Sequence, residues 1–284
     1  MLQHEGIFPI ARMAKVLEVS ESGYHKWKKK LSAAPTAKEN ENIELAREIH
    51  EIFTRSRGSF GSRKIVRVLN KRRSEPVNHK RVERLMQEYG LFSKTHKRYT
   101  VTTDSSHRNE IADNLLDRSF CAAQPAERMV SDTTVVKTRQ GDLYVAGILD
   151  LFGRMPVGLA MSQKNDTNLV LDALEDMMIR GKGHAGCFMH SDRGTTYTAK
   201  EYRLKLSQYE LLCSMSGKGD CWDNAPMESF WGKMKSEWLK KKYDTLEEAK
   251  RDIYEYVWSF YPKERPHASN GYLTPYEYYT TIQF

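Results

Sequence analysis

Apolar positions recur at helical spacing through the first third of the chain and alternate like strands further on. Ala11–Leu17 carries Ala11, Ala14, Val16 and Leu17 on one side, which predicts a short helix. Ser20 is a suitable N-cap for a second helix containing Tyr24 and Trp27, and the basic Lys28–Lys30 run suits its C-terminal dipole. Residues 31–40 read as a linker with Pro35 as helix breaker. Glu41–Thr54 places Ile43, Ala46, Ile49, His50 and Phe53 on one face. Ser62 is the expected N-cap of a helix over Arg63–Lys71, and Asn78 that of a helix over His79–Tyr89, with Gly90 as the residue after its C-cap. In that last helix Val82, Leu85 and Met86 face inward, leaving Lys80, Arg81 and Arg84 available outward, as on a recognition helix that meets DNA.

From Met129 the period changes to two. Met129–Lys137, Leu143–Asp150 and Met155–Ser162 alternate as an antiparallel meander, turned at Gly141 and at Phe152–Arg154. Asp166 caps a helix to about Arg180, Gly186–His190 is a buried fourth strand, Ala199–Gln208 a helix, and Glu210–Met215 a fifth strand. A loop with Gly217 and Gly219 leads into a long helix from about Asn224 to Lys242. The order βββαβαβα is that of a mixed α/β, ribonuclease-H-like core, preceded by all-α helix-turn-helix segments. The expected segments are 1–35, a first helix-turn-helix; 41–92, a second; 93–122, a basic linker bearing Lys94, His96, Lys97 and Arg98; and 123–284, the catalytic core with a helical tail.

Charge sharpens this division. The 284 residues carry a net charge of +8, but residues 1–120 hold 24 Lys and Arg against 15 Asp and Glu, while residues 121–284 hold 21 against 22. A basic region beside a neutral one suggests a polyanion-binding part joined to a catalytic part. No apolar run approaches the ~20 residues that span a bilayer, and the first residues lack the features of a signal peptide, so a cytoplasmic, nucleoid-associated protein is expected. The four cysteines form no CxxC pair, and although His184, Cys187 and His190 resemble a ligand cluster, Cys187–His190 reads as a short strand whose side chains alternate, which argues against a zinc site there.

The chemistry lies in three acids. Asp132 starts the first strand, Asp192 follows the fourth, and Glu228 sits early in the long helix, 35 residues beyond Asp192. Three carboxylates from two strands and a helix suit Mg²⁺ or Mn²⁺, two ions being expected, as in hydrolysis and transesterification of phosphodiesters. Lys235, two helical turns after Glu228, is placed to contact phosphate, whereas Lys233 is expected to face solvent. Asp150 in a hairpin turn and Asp223 at a helix start are read as turn and cap residues, with Asp220 a further acid nearby. Trp222, Phe230 and Trp231 could stack on an unpaired base or pack in the core, and His190 could pack or touch DNA.

The strings Ser131–Thr134, His190–Tyr197, Ser214–Ser216, Trp222–Glu228 and Lys235–Glu237, with the tail Phe260–His267 and Leu273–Pro275, resemble the integrase core of bacterial insertion-sequence transposases, in particular the second-reading-frame protein of the insertion-sequence-three family. Val19–Trp27, Phe60–Ile65 and Asn78–Val82 resemble that family's helix-turn-helix segments. The resemblance implies that Asp132, Asp192 and Glu228 are catalytic metal ligands and that Lys235 contacts DNA. The other candidate DNA contacts are His190, Asn224, Arg265, His267, Arg63, Lys64, Lys80, Arg81 and Arg84. It also implies metal-dependent cleavage and strand transfer at the ends of an insertion sequence. Partners would be the terminal inverted repeats and target DNA, a second copy of the chain or more, and an upstream-reading-frame protein or fusion. Two rival readings are a ribonuclease-H-like nuclease without strand transfer and a DNA-binding regulator. The chain departs from the family at Met129, where Trp is usual, and at Pro262, where Asn is usual.

Overall fold

A computed structural model describes residues 1–93, 111–117, 119–217, 221–239 and 242–281. Most of the expected linker, Asp220 and Gly219 lie outside these residues, as does the side chain of Trp222. The chain divides into two compact units, Met1–Glu48 and Ile49–Phe284, with the division inside a helix.

In the first unit α1 (Ile10–Val16) and α2 (Glu21–Ser32) form as the pattern predicts, and the Ser20 hydroxyl accepts from the Gly23 amide at 3.0 Å. The expected linker is shorter than foreseen, because α3 (Ala37–Arg55) begins four residues early. A capping box sets that start: Thr36 Oγ1 accepts from the Glu39 amide at 3.2 Å, and Glu39 Oε2 accepts from the Thr36 amide at 2.8 Å.

The second unit holds the remainder of α3, then α4 (Ser62–Arg72) and α5 (His79–Glu88). Asn78 caps α5 by accepting from the Lys80 amide, and Gly90 follows with φ +67°, both as expected. Ser62 is not a cap: it is the first helical residue, and Gly61 occupies the N-cap with no side chain to offer.

A five-stranded sheet of order β3-β2-β1-β4-β5 follows, from β1 (Arg128–Thr138), β2 (Gly141–Asp150), β3 (Met155–Ser162), β4 (Phe188–Ser191) and β5 (Leu212–Met215). The first three strands are antiparallel, and β4 and β5 add parallel to the β1 edge. Between them run α6 (Thr167–Ile179), capped by Asp166, then α7 (Thr195–Thr198) and α8 (Lys200–Gln208). Ala146 and Ile148 of β2 pack with Leu169, Val170, Ala173 and Leu174 of α6 in one buried core. Strand alternation turns Gly147, between them, to the opposite face.

α9 (Ala225–Lys233) covers that opposite face. The single long helix expected to Lys242 does not form. α9 passes into a π-helical turn, Met234–Trp238, closed by the Leu239 amide on the Met234 carbonyl at 3.0 Å. After α10 (Leu246–Glu255) a second π turn, Tyr256–Phe260, leads to α11 (Tyr261–Lys263), and α12 (Pro275–Thr281) closes the described chain. The two π turns meet through Trp238 and Phe260, ring centroids 4.4 Å apart. Pro262 falls at the start of α11, directly after the second π turn.

Within this unit, the end of α3, the loop after it and α4 are tied to the C-terminal helices by charge. Arg55 pairs with Glu264 at 2.6 Å, Arg57 with Asp252 at 2.9 Å, Lys64 with Glu237 at 3.1 Å, and Lys71 with Glu277. The Arg57 guanidinium also lies 3.9 Å from the centre of the Trp238 ring. Among the described residues no helix is long and apolar enough to cross a membrane.

Candidate active site

Strand register brings two of the acids together. β1 and β4 are parallel with Val130 opposite His190; two residues further on, the same register sets Asp132 beside Asp192, just past the end of β4. Asp132 is paired with Gly147 across β1 and β2, so both point to the face covered by α9. That face has no room for a side chain at 147. A Cβ there would stand 2.7 Å from Trp231 Cη2 and 3.5 Å from Met227 Cε. Met227 and Trp231 are one turn apart on α9 and straddle the glycine, which fixes the helix over β2 and carries Glu228, next to Met227, to the rim of the acidic pair.

Electrostatics shows the proximity. Burial, and then the Asp192 charge, push the Asp132 carboxyl well above its ordinary value; Glu228 adds to the rise, while the Thr133 amide and Lys235 oppose it. Glu228 is exposed as a residue, and partial burial of its carboxyl raises its pKa. Lys235 is half-buried, lowered by burial and sustained by Asp132. The Asp192 carboxylate is oriented locally, Oδ1 accepting from the Gly194 amide at 2.9 Å. A Cβ on Gly194 would sit 3.0 Å from that same oxygen. Among the described residues, no three His, Cys, Asp or Glu side chains are gathered as a metal-holding group. Asp132 and Asp192 form the close pair, and Glu228 stays at its edge.

Several expected contacts are corrected by burial. His190 is fully buried, with Nδ1 2.8 Å from Ser214 Oγ and Nε2 3.3 Å from Ser216 Oγ, and burial lowers its pKa to about 4; it is a packed internal imidazole and not a DNA contact. Asn224 is 6% exposed and donates from Nδ2 to the Ser131 carbonyl at 3.1 Å, bracing the strand residue before Asp132 from inside. Arg265 is 4% exposed and donates to both oxygens of Glu237, at 2.6 and 2.7 Å, which removes it from the surface. Lys64 is turned to the same carboxylate. Arg84 is exposed and lies 3.6 Å from Glu88, while Arg63 and Lys80 are exposed and Arg81 and His267 half-buried.

Lys233 does not face solvent as expected. It is half-buried, donates to Ser229 Oγ at 2.7 Å, and is lowered to about 8 by burial and then by Arg265. Asp223 does not cap α9: it lies in a 3-10 turn (Cys221–Asn224), where Oδ2 accepts from Gly217 N at 2.8 Å and Asn114 Nδ2 at 2.9 Å. Asp150 does make the expected turn bond, to the Phe152 amide at 2.9 Å, but it is also fully buried and accepts from Ala126 N and Tyr279 Oη. Phe230 and Trp231 are both core residues. Sequence reasoning missed Gly147, whose role depends on a helix 80 residues away, and Tyr197, whose hydroxyl lies 2.9 Å from Ser131 Oγ beneath the acidic pair.

Residues 39–99 match a family described as HTH-like domain, and residues 122–221 and 209–275 match two described as integrase core domain. The insertion element IS600 uncharacterized 31 kDa protein of Shigella sonnei is 36% identical over 264 residues, covering 93% of this chain and 96% of its own length. Transposase InsF for insertion sequence IS3A of Escherichia coli (strain K12) is 30% identical over 281 residues, covering 97% of this chain and 96% of its own. Among solved structures, the HTLV-2 integrase catalytic core domain in complex with magnesium (trimeric form) aligns with a TM-score of 0.44 and 14% identity, over 56% of this chain and 99% of that one.

Proposed function

The chain belongs to the IS3 family of insertion-sequence transposases, DDE-type enzymes of DNA transposition, and we propose that Asp132, Asp192 and Glu228 are its three catalytic acids, with Lys235 as the cation that meets substrate phosphate. The observation that carries this reading is the β1–β4 register, which sets Asp132 beside Asp192 on the face where α9 presents Glu228.

The residues fit a divalent cation by their chemistry. All three donors are hard carboxylate oxygens, and Asp132 is held at a site where burial and a like charge oppose its ionisation. Mg²⁺ binds through only one or two carboxylates together with waters and substrate phosphate, so the close pair suffices as its base and Glu228 completes the set from the helix. When bound, Mg²⁺ or Mn²⁺ would stabilise developing charge on the attacking and leaving oxygens of an in-line displacement. Asp132 and Asp192 would hold that cation on the sheet; the Gly194 amide keeps the Asp192 carboxylate in one orientation, and Trp231 holds α9 at a fixed height over β2. Lys235 neutralises the phosphate beside the cleaved bond as a point charge.

The reaction proposed is hydrolysis of a strand at the end of the mobile element to leave a 3′-OH, which then attacks a second phosphodiester. The terminal repeats and target DNA are its substrates. Holding two ends together calls for a dimer or larger assembly, and a protein from an upstream reading frame is a candidate further partner. Work on such a substrate belongs to the cytoplasm, at the nucleoid. The test is strand transfer on labelled element ends in Mg²⁺. Asp192→Asn is expected to abolish the strand-transfer product, and unchanged product with that variant overturns the assignment.

A further inference from the structure

Five basic side chains gather away from the carboxylates. Arg63 and Lys64 at the start of α4, Lys233 at the end of α9, and Arg265 and His267 after α11 line a groove of about 480 Å³, with Tyr272 on its wall and no acidic residue in its lining. One carboxylate, Glu237, serves both Arg265 and Lys64. Among the described residues Lys233 bonds only the neutral Ser229 hydroxyl, and the exposed Arg63 forms no ion pair. The crowding bears on both basic groups. Burial and then Arg265 lower Lys233 to about 8, with Glu237 opposing and Lys64 and Arg154 adding to the fall, and burial and then Lys233, Arg265, Arg154 and Lys64 lower His267 to about 3.

The backbone adds to this field. α4 is an 11-residue helix whose N-cap, Gly61, has no side chain to accept from its first amides. The Lys64 and Ile65 amides bond the Gly61 carbonyl, which leaves the Ser62 and Arg63 amides at the positive end of the helix dipole, in the groove's own wall.

We propose that this groove binds one backbone phosphate of DNA, other than the phosphate that is cleaved. The proposal rests on the transposase reading for its choice of DNA as the ligand. Lys233 follows Glu228 by five residues, about 140° round the helix and ~7.5 Å along it, so a strand lying on the carboxylate face reaches the groove only after passing round α9. Arg63 supplies a forked donor, and Lys233 and Lys64 supply point charges. Arg265 and His267 act from behind, Arg265 by holding Glu237 and thereby the π turn that follows Lys233.

The experiment measures equilibrium binding of the full chain to a labelled DNA duplex of mixed sequence, in EDTA, over a KCl titration. Neutralising one phosphate contributes about 0.9 to the slope of log affinity against log salt. The double variant Arg63→Gln with Lys233→Gln is therefore expected to lose about one unit of slope and about tenfold in affinity at ~0.1 M salt. Lys200→Gln, an exposed lysine on α8 outside the groove, should change neither. The Lys233 change removes a crowded cation, so the variant's melting temperature should equal or exceed that of the parent chain. An unchanged slope in the double variant, with intact binding by the parent chain, overturns the groove and leaves the transposase reading standing. Failure of the parent chain to bind DNA defeats that reading itself. If inorganic phosphate at matched ionic strength raises the melting temperature of the parent chain but not of the variant, without any change in the DNA slope, the groove takes a free anion and the DNA assignment falls.

Discussion

Replacing Glu237 with glutamine removes the one negative charge from a buried basic cluster. The Glu237 and Arg265 side chains are 7% and 5% exposed and joined by two hydrogen bonds of 2.6 and 2.7 Å, while Lys64, 24% exposed, approaches the same carboxylate at 3.1 Å. Both charges have left water, so the pair stabilises chiefly by answering its own desolvation. Breaking such a pair from one side costs about 3–5 kcal/mol. In a unit of this size ~1 kcal/mol moves the midpoint by about 2–4 °C, so Glu237→Gln should melt roughly 6–20 °C below the parent chain. Burial alone would raise the Glu237 carboxyl, but Arg265 and Lys64 together hold it below the ordinary 4.5. Its contribution is therefore complete above about pH 4.5 and is lost as the pH falls through the lowered value. The gap between parent and variant should be constant near neutrality and narrow on acidification. Thermal and urea unfolding at pH 7 and at pH 4 measure both effects. Replacing both partners, Glu237→Leu with Arg265→Leu, should cost less than the single glutamine change, because no buried charge is stranded between them. A shift of less than ~1 kcal/mol for Glu237→Gln, or a gap that widens in acid, refutes the reasoning.

Gly147→Ala forces a Cβ to 2.7 Å from the Trp231 ring, so it should cost about 1–3 kcal/mol by overpacking and reduce strand transfer as α9 and Glu228 shift; normal melting with normal activity would contradict the packing described. Asp150 is raised by burial to about 6 from 3.8, so its effect on stability worsens as the pH rises between those values, by roughly 3 kcal/mol; Asp150→Asn should flatten the pH dependence of unfolding across that window, and a profile identical to the parent's would count against it. Arg57→Ala loses both Asp252 hydrogen bonds, at 2.9 and 3.0 Å, and the contact over Trp238, for an expected cost of about 2–3 kcal/mol in chemical unfolding; a change near zero would show that the pair holds nothing in place.

Periodicity carried the sheet because each strand is bounded by residues that signal their own turns. Gly141 at φ +124°, Gly153 at φ +63° and the Asp166 cap sit where the pattern breaks, and β3 runs from Met155 to Ser162 as read from alternation. The acids were legible for the same reason, since strand ends and a 35-residue spacing are local features of the chain. What failed was the part that depends on distant partners. A run of helix-compatible residues from Asn224 to Lys242 gives no sign that a π turn will open at Met234, because the turn is fitted to Phe260 and Tyr256. His190, Asn224 and Arg265 look like polar contacts in a string of letters, and only the folded chain shows Ser214, Ser131 and Glu237 waiting for them. Thr36-Ala-Lys-Glu39 is a capping box written in the sequence itself, directly after the helix-breaking Pro35.

The ion pairs that join the end of α3, the loop after it and α4 to the C-terminal helices have a consequence for distances within the second unit. Arg55, Arg57, Lys64 and Lys71 attach that segment at four separate points to helices built around the sheet. A segment on a loose tether would stand at many distances from the acidic pair. Fastened at four points, this segment behaves as one end of a ruler, its distance from Asp132 and Asp192 set by the protein between them.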